Sequence, residues 1–199
     1  MNNSLTVDSK LEREFLFLLS SARANGNTEM LTRIAASSLS KSISQNWIVL
    51  NDISIPKFYD KRHSITDFPF PEGQELSLAE ATLKATDIVI SSPLYWYTLS
   101  ANAKSYLDFW SGWMRVKEFD FKKRMHGKNL WAITTTSDAG DVQVEPLIGT
   151  LNLIAEYLGM QWCGILIGHG NRPGEVLQDL AAIEMASKLF IENGNIAII

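Results

Sequence analysis

A segment of short polar residues near the start of the chain has the composition of an anion site. It spans residues 20–29, SSARANGNTE, and follows the apolar run at residues 15–19. Its serine, asparagine and threonine side chains are short hydrogen-bond donors, and Gly26 permits backbone conformations that a side chain would forbid. A helical pattern comes next, whose free N–H groups and positive dipole end would face the turn. Together with the guanidinium of Arg23, these features predict a phosphate site.

An ordinary turn between a strand and a helix is the alternative interpretation of this segment. Ser, Asn and Thr are the usual capping residues at helix N-termini, so capping alone would explain their presence. The residues by themselves leave both interpretations open.

Composition limits the classes of protein to which the chain can belong. Of its 199 residues, 46% are hydrophobic and 20% charged, which suits one globular domain with a substantial core. The net charge of -4 disfavours nucleic-acid binding, which needs a basic face. No apolar run approaches the roughly 18 residues of a membrane span.

We expect a flexible N-terminal segment at residues 1–12, a single domain at 13–199 and a cytoplasmic location. The single cysteine, Cys163, is typical of that compartment, and its apolar neighbours favour a buried position.

Strand and helix patterns alternate along the chain. Apolar runs predict strands at residues 15–19, 47–51, 88–90, 130–135 and 163–167. Helical spacing predicts a first helix after the polar segment and later helices at 76–85, 101–113, 144–158 and 175–192. The long irregular stretch at 52–73 is typical of a lid or binding loop. This alternation predicts an α/β fold with a doubly wound, five-stranded parallel sheet and helices on both faces.

Three loops of such a sheet would meet outside the carboxyl ends of the strands, where these folds bind ligands. They are the polar segment, the aromatic loop SSPLYWYTLS at 91–100, and TTTSDAGD at 134–141. A planar aromatic ligand that carries a phosphate, such as FMN, would suit the first two loops. Alternatively, Tyr95, Trp96 and Tyr97 pack in the core or at a subunit interface.

The same motifs resemble those of the NAD(P)H-dependent FMN reductase family of flavodoxin-like flavoproteins. SSARANGNTEML is similar to the phosphate loop of that family, SSPLYWYTLSANAKSYLD to its isoalloxazine loop, and TTTSDAG to its third flavin-contacting loop. The resemblance covers residues 15–190 and implies the flavodoxin-like strand order 2-1-3-4-5. Ala22 departs from the proline of many relatives. The cysteine pairs of the iron-sulfur branch are absent from 52–73, so no cluster is implied.

The resemblance also implies a set of cofactor-binding residues. Ser21, Arg23, Asn27 and Thr28 would hold the FMN phosphate. Pro93, Leu94, Tyr95 and Trp96 would follow the pyrimidine end and one face of the ring, offering backbone N–H groups to the flavin, while Thr135, Thr136, Ser137 and Gly140 would close the other side. Trp110 and Trp113 lie at helical spacing, which favours packing in the core or at an interface.

The implied activity is electron transfer from NADPH or NADH through FMN to a quinone, an azo or nitro compound, or free flavin, with ping-pong kinetics. The cofactor carries this chemistry, so we expect no catalytic side chain.

The three histidines are scattered and predict no metal site. A non-enzymatic electron carrier like flavodoxin and a flavin-binding regulatory protein are the alternatives. Six tryptophans favour a homodimer or homotetramer.

Overall fold

The computed structural model describes residues 12–54, 56–65, 68–137, 140 and 142–191. The predicted flexible segment at residues 1–12 lies almost wholly outside them, and so does the end of the last predicted helix. The assignment of residues 13–199 to a single domain stays a prediction.

The described residues form one parallel sheet of five strands in the order β2-β1-β3-β4-β5. The strands are β1 (Glu14–Leu19), β2 (Ser44–Val49), β3 (Asp87–Ser91), β4 (Asn129–Thr136) and β5 (Gln161–His169). The predicted order is confirmed. Because β1 lies between β2 and β3, the direction of the strand order reverses beside β1, and a ligand cleft is expected at that point.

Helices cover both faces of the sheet. Helices α1 (Asn27–Ser37) and α6 (Leu180–Lys188) lie on one face, and α2 (Gly73–Lys84), α3 (Ala101–Trp113), α4 (Phe121–Met125) and α5 (Glu145–Leu158) lie on the other. This arrangement confirms the flavodoxin-like α/β fold.

Alternation along the strands divides the core into two layers. Phe15 and Phe17 pack toward α1 and α6, whereas Leu16 and Leu18 pack toward the opposite helical layer. Trp110 and Trp113 are buried in this second layer, so core packing is the correct interpretation for both.

Several element boundaries differ from the prediction. Strand β2 begins and ends earlier than residues 47–51, and α4 was not predicted. The predicted helix at 175–192 starts as a 3-10 turn at Glu175–Gln178, after which α6 begins separately. The separation arises because the Asp179 side chain accepts a hydrogen bond from the Ala182 N–H and caps a new helix there.

No helix among the described residues is long and apolar enough to cross a membrane. The cytoplasmic location stays a prediction.

Cys163 lies buried in β5, as its apolar neighbours predicted. Burial, aided by the nearby charge of Asp87, raises the pKa of its thiol to about 11. Since the thiolate is the reactive form, we expect iodoacetamide to leave Cys163 unmodified in the native protein at neutral pH and to alkylate it readily in denaturant. Mass spectrometry of the two samples checks this, and equal alkylation rates would contradict it.

Candidate functional site

A cleft of about 230 Å³ opens at the carboxyl edge of the sheet. The three predicted loops contribute to its walls, and all but three of the predicted site residues line it. Trp96, Thr136 and Gly140 are the exceptions. A fourth loop, which follows β5, completes the wall with Gly170, Asn171 and Pro173.

Backbone hydrogen bonds beyond the strand ends hold these loops together. The Leu94 N–H donates to the carbonyl of Thr135 at 3.0 Å, which joins the aromatic loop to the loop after β4. The Gly170 N–H donates to the carbonyl of Thr136 at 2.9 Å, which joins the loop after β5 to the same segment. The cleft therefore extends the hydrogen-bonding pattern of the sheet itself.

The first turn of α1 faces the cleft without a side-chain cap. Its N-cap is Gly26, which has no side chain, and the N–H groups of Asn27, Thr28 and Glu29 find no acceptor among the described residues. The capping interpretation required Ser, Asn or Thr to accept these bonds, and none of the described side chains does. The free N–H groups leave the helix terminus available to an anion.

Two pairs of hydroxyl groups lie beneath the cleft. The Oγ1 atoms of Thr28 and Thr135 are 2.6 Å apart, and both residues are buried. One turn further along α1, Thr32 Oγ1 lies 2.7 Å from Ser91 Oγ. These pairs join α1 to β4 and β3. Since a hydroxyl pair uses only one of its two protons internally, the Thr28 pair keeps one for a ligand.

Arg23 is the charged residue among those that line the cleft. Its side chain is exposed, and one guanidinium nitrogen lies 3.4 Å from the carbonyl oxygen of Asn171, at the long limit for a hydrogen bond. No carboxylate of the described residues pairs with it. The end of the cleft beside α1 is therefore positively charged.

The aromatic loop is a tight turn in a strained conformation. Tyr95 and Thr98 exchange backbone hydrogen bonds of 3.0 and 3.1 Å. The two residues between them, Trp96 and Tyr97, have φ angles of 48° and 64°. Bulky residues rarely adopt this left-handed conformation, which costs about 1–3 kcal/mol each and is found mainly at functional sites.

The turn restricts which of its groups can face a ligand in the cleft. The Trp96 side chain is 91% exposed, so its predicted contact with a ring stays a prediction. Pro93 has no N–H, and the N–H groups of Leu94 and Tyr95 are bonded within the protein. Four residues were expected to offer backbone N–H groups to the flavin. Of these, only the Trp96 N–H has no acceptor among the described residues. The expectation therefore named too many donors.

Residues 52–73 do not frame the cleft in the described part of the chain. Phe58 instead packs edge-on against Phe109 of α3 at 5.6 Å, and the neighbouring residues of the loop cover the same end of that helix. The proposed lid over the cleft therefore finds no support in the described residues of this loop.

The predicted site residues did not include Gly170, Asn171 and Pro173 of the loop after β5. The signal was available, because β5 ends at the same edge as β1, β3 and β4, and its last residues run into Gly170. His169, just before this loop, points its Nδ1 to Asp179 at 2.8 Å and does not line the cleft. Within the described residues, no three His, Cys, Asp or Glu side chains are grouped to hold a metal ion.

Comparison with known proteins agrees with this architecture. The model of the flavodoxin-like fold family matches residues 13–189. A relative from Bacillus subtilis strain 168, provisionally named NAD(P)H-dependent FMN-containing oxidoreductase YwqN, is 31% identical over 168 residues, which are 84% of this chain and 91% of the relative.

Two solved structures are also similar. The Trp repressor binding protein of Bacillus subtilis is 25% identical with a TM-score of 0.69, over 90% of this chain and 98% of that one. The FMN-dependent NADH-azoreductase of Bacillus anthracis, in complex with FMN, has a TM-score of 0.57 over 89% of this chain and 99% of its own. It is 17% identical, so it supports the fold alone. The chain belongs to the flavodoxin-like fold family.

Proposed function

We propose that the protein is an FMN-containing, NAD(P)H-dependent oxidoreductase. The observation that carries the proposal is that one cleft is lined by the uncapped first turn of α1, by Arg23, which has no carboxylate partner among the described residues, and by Tyr95 of the strained aromatic turn. The relative YwqN, whose name specifies both FMN and NAD(P)H, supports the same activity.

The residues at the α1 end of the cleft fit the phosphate of FMN. The N–H groups of the first helical turn and the guanidinium of Arg23 can each donate to a phosphate oxygen. Thr28 can donate its hydroxyl proton while its oxygen accepts from Thr135. Ser21 Oγ already accepts from the Arg23 N–H at 3.1 Å, which leaves the Ser21 proton for the ligand.

The other walls of the cleft would hold the flavin ring. Pro93, Leu94, Tyr95, Thr135 and Ser137 contribute to these walls. The N–H of Trp96, which has no acceptor among the described residues, is our proposed donor to the ring edge. Thr136 and Gly140 remain proposed contacts, although neither lines the cleft as described.

When bound, FMN supplies the redox chemistry, taking a hydride from NADPH or NADH and returning two electrons to a small acceptor. We propose a quinone, an azo or nitro compound, or free flavin as the acceptor. Donor and acceptor would use the same open side of the cleft in turn, which gives ping-pong kinetics. The chain binds and orients the reactants, and no side chain has to act as an acid or base.

Anaerobic stopped-flow mixing tests the activity. FMN-loaded protein should lose its flavin absorbance within seconds of mixing with NADPH or NADH, and a quinone added afterwards should restore it. Dithionite is the control that shows the flavin to be reducible. Reduction by dithionite but by neither nicotinamide over many minutes would instead indicate an electron carrier or a regulatory flavoprotein.

We also propose that the protein assembles as a dimer. An apolar groove between α3 and α5, bordered by Trp110 and Met114, lies beside two apolar side chains that are more than 60% exposed, Leu153 and Tyr157. In a two-fold dimer the same face of each copy meets the other, so Leu153 and Tyr157 of one copy could pack into the groove of the second.

The sedimentation coefficient at tens of micromolar measures this assembly. The wild-type chain should sediment as a dimer, and Leu153→Glu should give a monomer because it places a charge in the apolar contact. Leu180→Glu is the matched control, since Leu180 is also exposed but lies on α6. A monomeric wild-type protein would rule out the dimer.

A further inference from the structure

We infer that Asn27 is a positioning residue whose side-chain amide fixes the loop at residues 170–174 and thereby slows the release of the cofactor. The inference rests on the proposed function for the identity of the ligand. The contact between Asn27 and the loop is independent of it.

Asn27 reaches across the cleft wall to two backbone groups of this loop. Its Nδ2 donates to the carbonyl of Arg172 at 2.9 Å, and its Oδ1 accepts from the N–H of Gly174 at 2.8 Å. The Asn27 side chain is buried, and both bonds are partly buried. A side chain expected to bind phosphate is thus already engaged with the protein.

A second side chain fixes the outer part of the same loop. Glu175 Oε2 accepts from the N–H groups of Asn171 and Arg172, both at 2.8 Å. These bonds also hold the pKa of Glu175 below its usual value. The backbone turns at Gly174, which bonds to Asn27 and has a φ angle of +86°.

The approach of Asn27 depends on a glycine. A Cβ atom at Gly170 would lie 2.9 Å from Asn27 Nδ2 and 2.8 Å from the backbone nitrogen of Val176. A side chain would therefore displace the amide or the loop. The glycine that follows β5 is explained by this close approach rather than by flexibility.

Besides these side chains, two backbone hydrogen bonds hold the loop: the Gly170 N–H donates to Thr136, and the Glu175 N–H donates to the Arg172 carbonyl at 3.1 Å. Asn171, Arg172 and Pro173 are exposed and make no contribution to the apolar core. Asn171 and Pro173 nevertheless line the cleft. Since the Asn27 amide makes both side-chain hydrogen bonds to the Arg172 carbonyl and the Gly174 N–H, its loss should let this wall open and a bound flavin escape.

Hydrogen exchange on the flavin-free protein tests the contact without reference to the cofactor. In Asn27→Ala the amides of Asn171, Arg172 and Gly174 should exchange about tenfold faster, because the Gly174 N–H loses its acceptor and the Arg172 carbonyl loses its donor. Thr28→Ala is the matched control, because Thr28 occupies the same helical turn but makes no bond to the loop. Unchanged exchange in Asn27→Ala would overturn the inference.

Binding of FMN and riboflavin distinguishes a role of Asn27 in positioning the loop from direct contact with the phosphate. If Asn27 positions the loop, Asn27→Ala should release FMN and riboflavin about tenfold faster and keep the ratio of their affinities. Thr28→Ala should instead reduce that ratio. If Asn27→Ala weakens FMN alone, Asn27 is a phosphate ligand and the inference fails. Should the wild-type protein bind neither flavin, the proposed function fails, and the exchange experiment still decides the role of Asn27.

Gly170→Ala supplies an independent variant if Asn27→Ala does not fold. It should reproduce the faster exchange by displacing the amide of Asn27. Gly149→Ala is its control, since a Cβ there meets no atom within 4 Å. Normal exchange at the amides of Asn171, Arg172 and Gly174 in Gly170→Ala would contradict the inference.

Discussion

Replacement of Asp87 by alanine should lower the free energy of unfolding by about 3–5 kcal/mol, because it removes the buried carboxylate of a partly buried ion pair together with its other hydrogen bonds. The Asp87 side chain is completely buried at the start of β3. Arg13 binds it side-on, with nitrogen-to-oxygen distances of 2.6 and 3.1 Å. Without the carboxylate, the guanidinium would lose its counter-ion.

Three further donors converge on the same carboxylate. They are Asn129 Nδ2 at 2.9 Å, Trp131 Nε1 at 3.0 Å and Thr86 Oγ1 at 2.8 Å. The Trp131 side chain is buried, so its N–H would be left without a partner in the alanine variant.

Acid should weaken the protein through the same group. Burial by itself would raise the pKa of Asp87, but the hydrogen bonds from Arg13, Asn129 and Thr86 outweigh it and hold the pKa below its usual value. Because the folded-state pKa is depressed, the contribution of Asp87 is complete above the unfolded value of about 3.9 and is lost as pH falls through the folded value. The difference in stability between wild type and Asp87→Ala should therefore shrink below about pH 4.

Urea unfolding at neutral and acidic pH measures both effects. Asp60→Ala is the control, because Asp60 also binds an arginine, Arg62, but the pair is on the surface. That variant should unfold at the wild-type midpoint. An Asp87→Ala protein as stable as Asp60→Ala would show that the buried network is dispensable.

Replacement of Arg23 by alanine should weaken FMN binding about tenfold to a hundredfold, because a charge-assisted hydrogen bond contributes roughly 1.5–3 kcal/mol. Arg23 is the charged residue of the cleft lining and has no carboxylate partner among the described residues. Its charge is therefore available to the phosphate. Riboflavin lacks that group, so its affinity should change little.

Titration of the flavin fluorescence with each protein variant gives the dissociation constants. Arg124→Ala is the control, since this exposed arginine lies on α4, at the opposite end of β4 from the cleft. Equal loss of FMN and riboflavin affinity in Arg23→Ala would show that Arg23 does not bind the phosphate.

The sequence by itself determined the fold and most of the cleft lining. Strands buried on both faces consist of consecutive apolar residues, so β1 and β3 were recognisable from the sequence alone. Parallel strands end at a common edge, so the residues that follow them had to meet. Within those loops, the resemblance to the FMN reductase family implied Ser21, Arg23, Pro93 and Thr135.

Only the tertiary structure decided which groups remain free to bind a ligand. Asn27 and Thr28 are adjacent in sequence and were assigned the same role, yet the amide of Asn27 bonds to the loop after β5 whereas Thr28 pairs with Thr135. The N–H groups of Leu94 and Tyr95 likewise donate to carbonyl groups of the protein. Such partners are distant in sequence, and their contacts depend on how loops are placed by the whole sheet. A pattern of residue types reveals which donors and acceptors are present, but their availability depends on the folded contacts that satisfy them first.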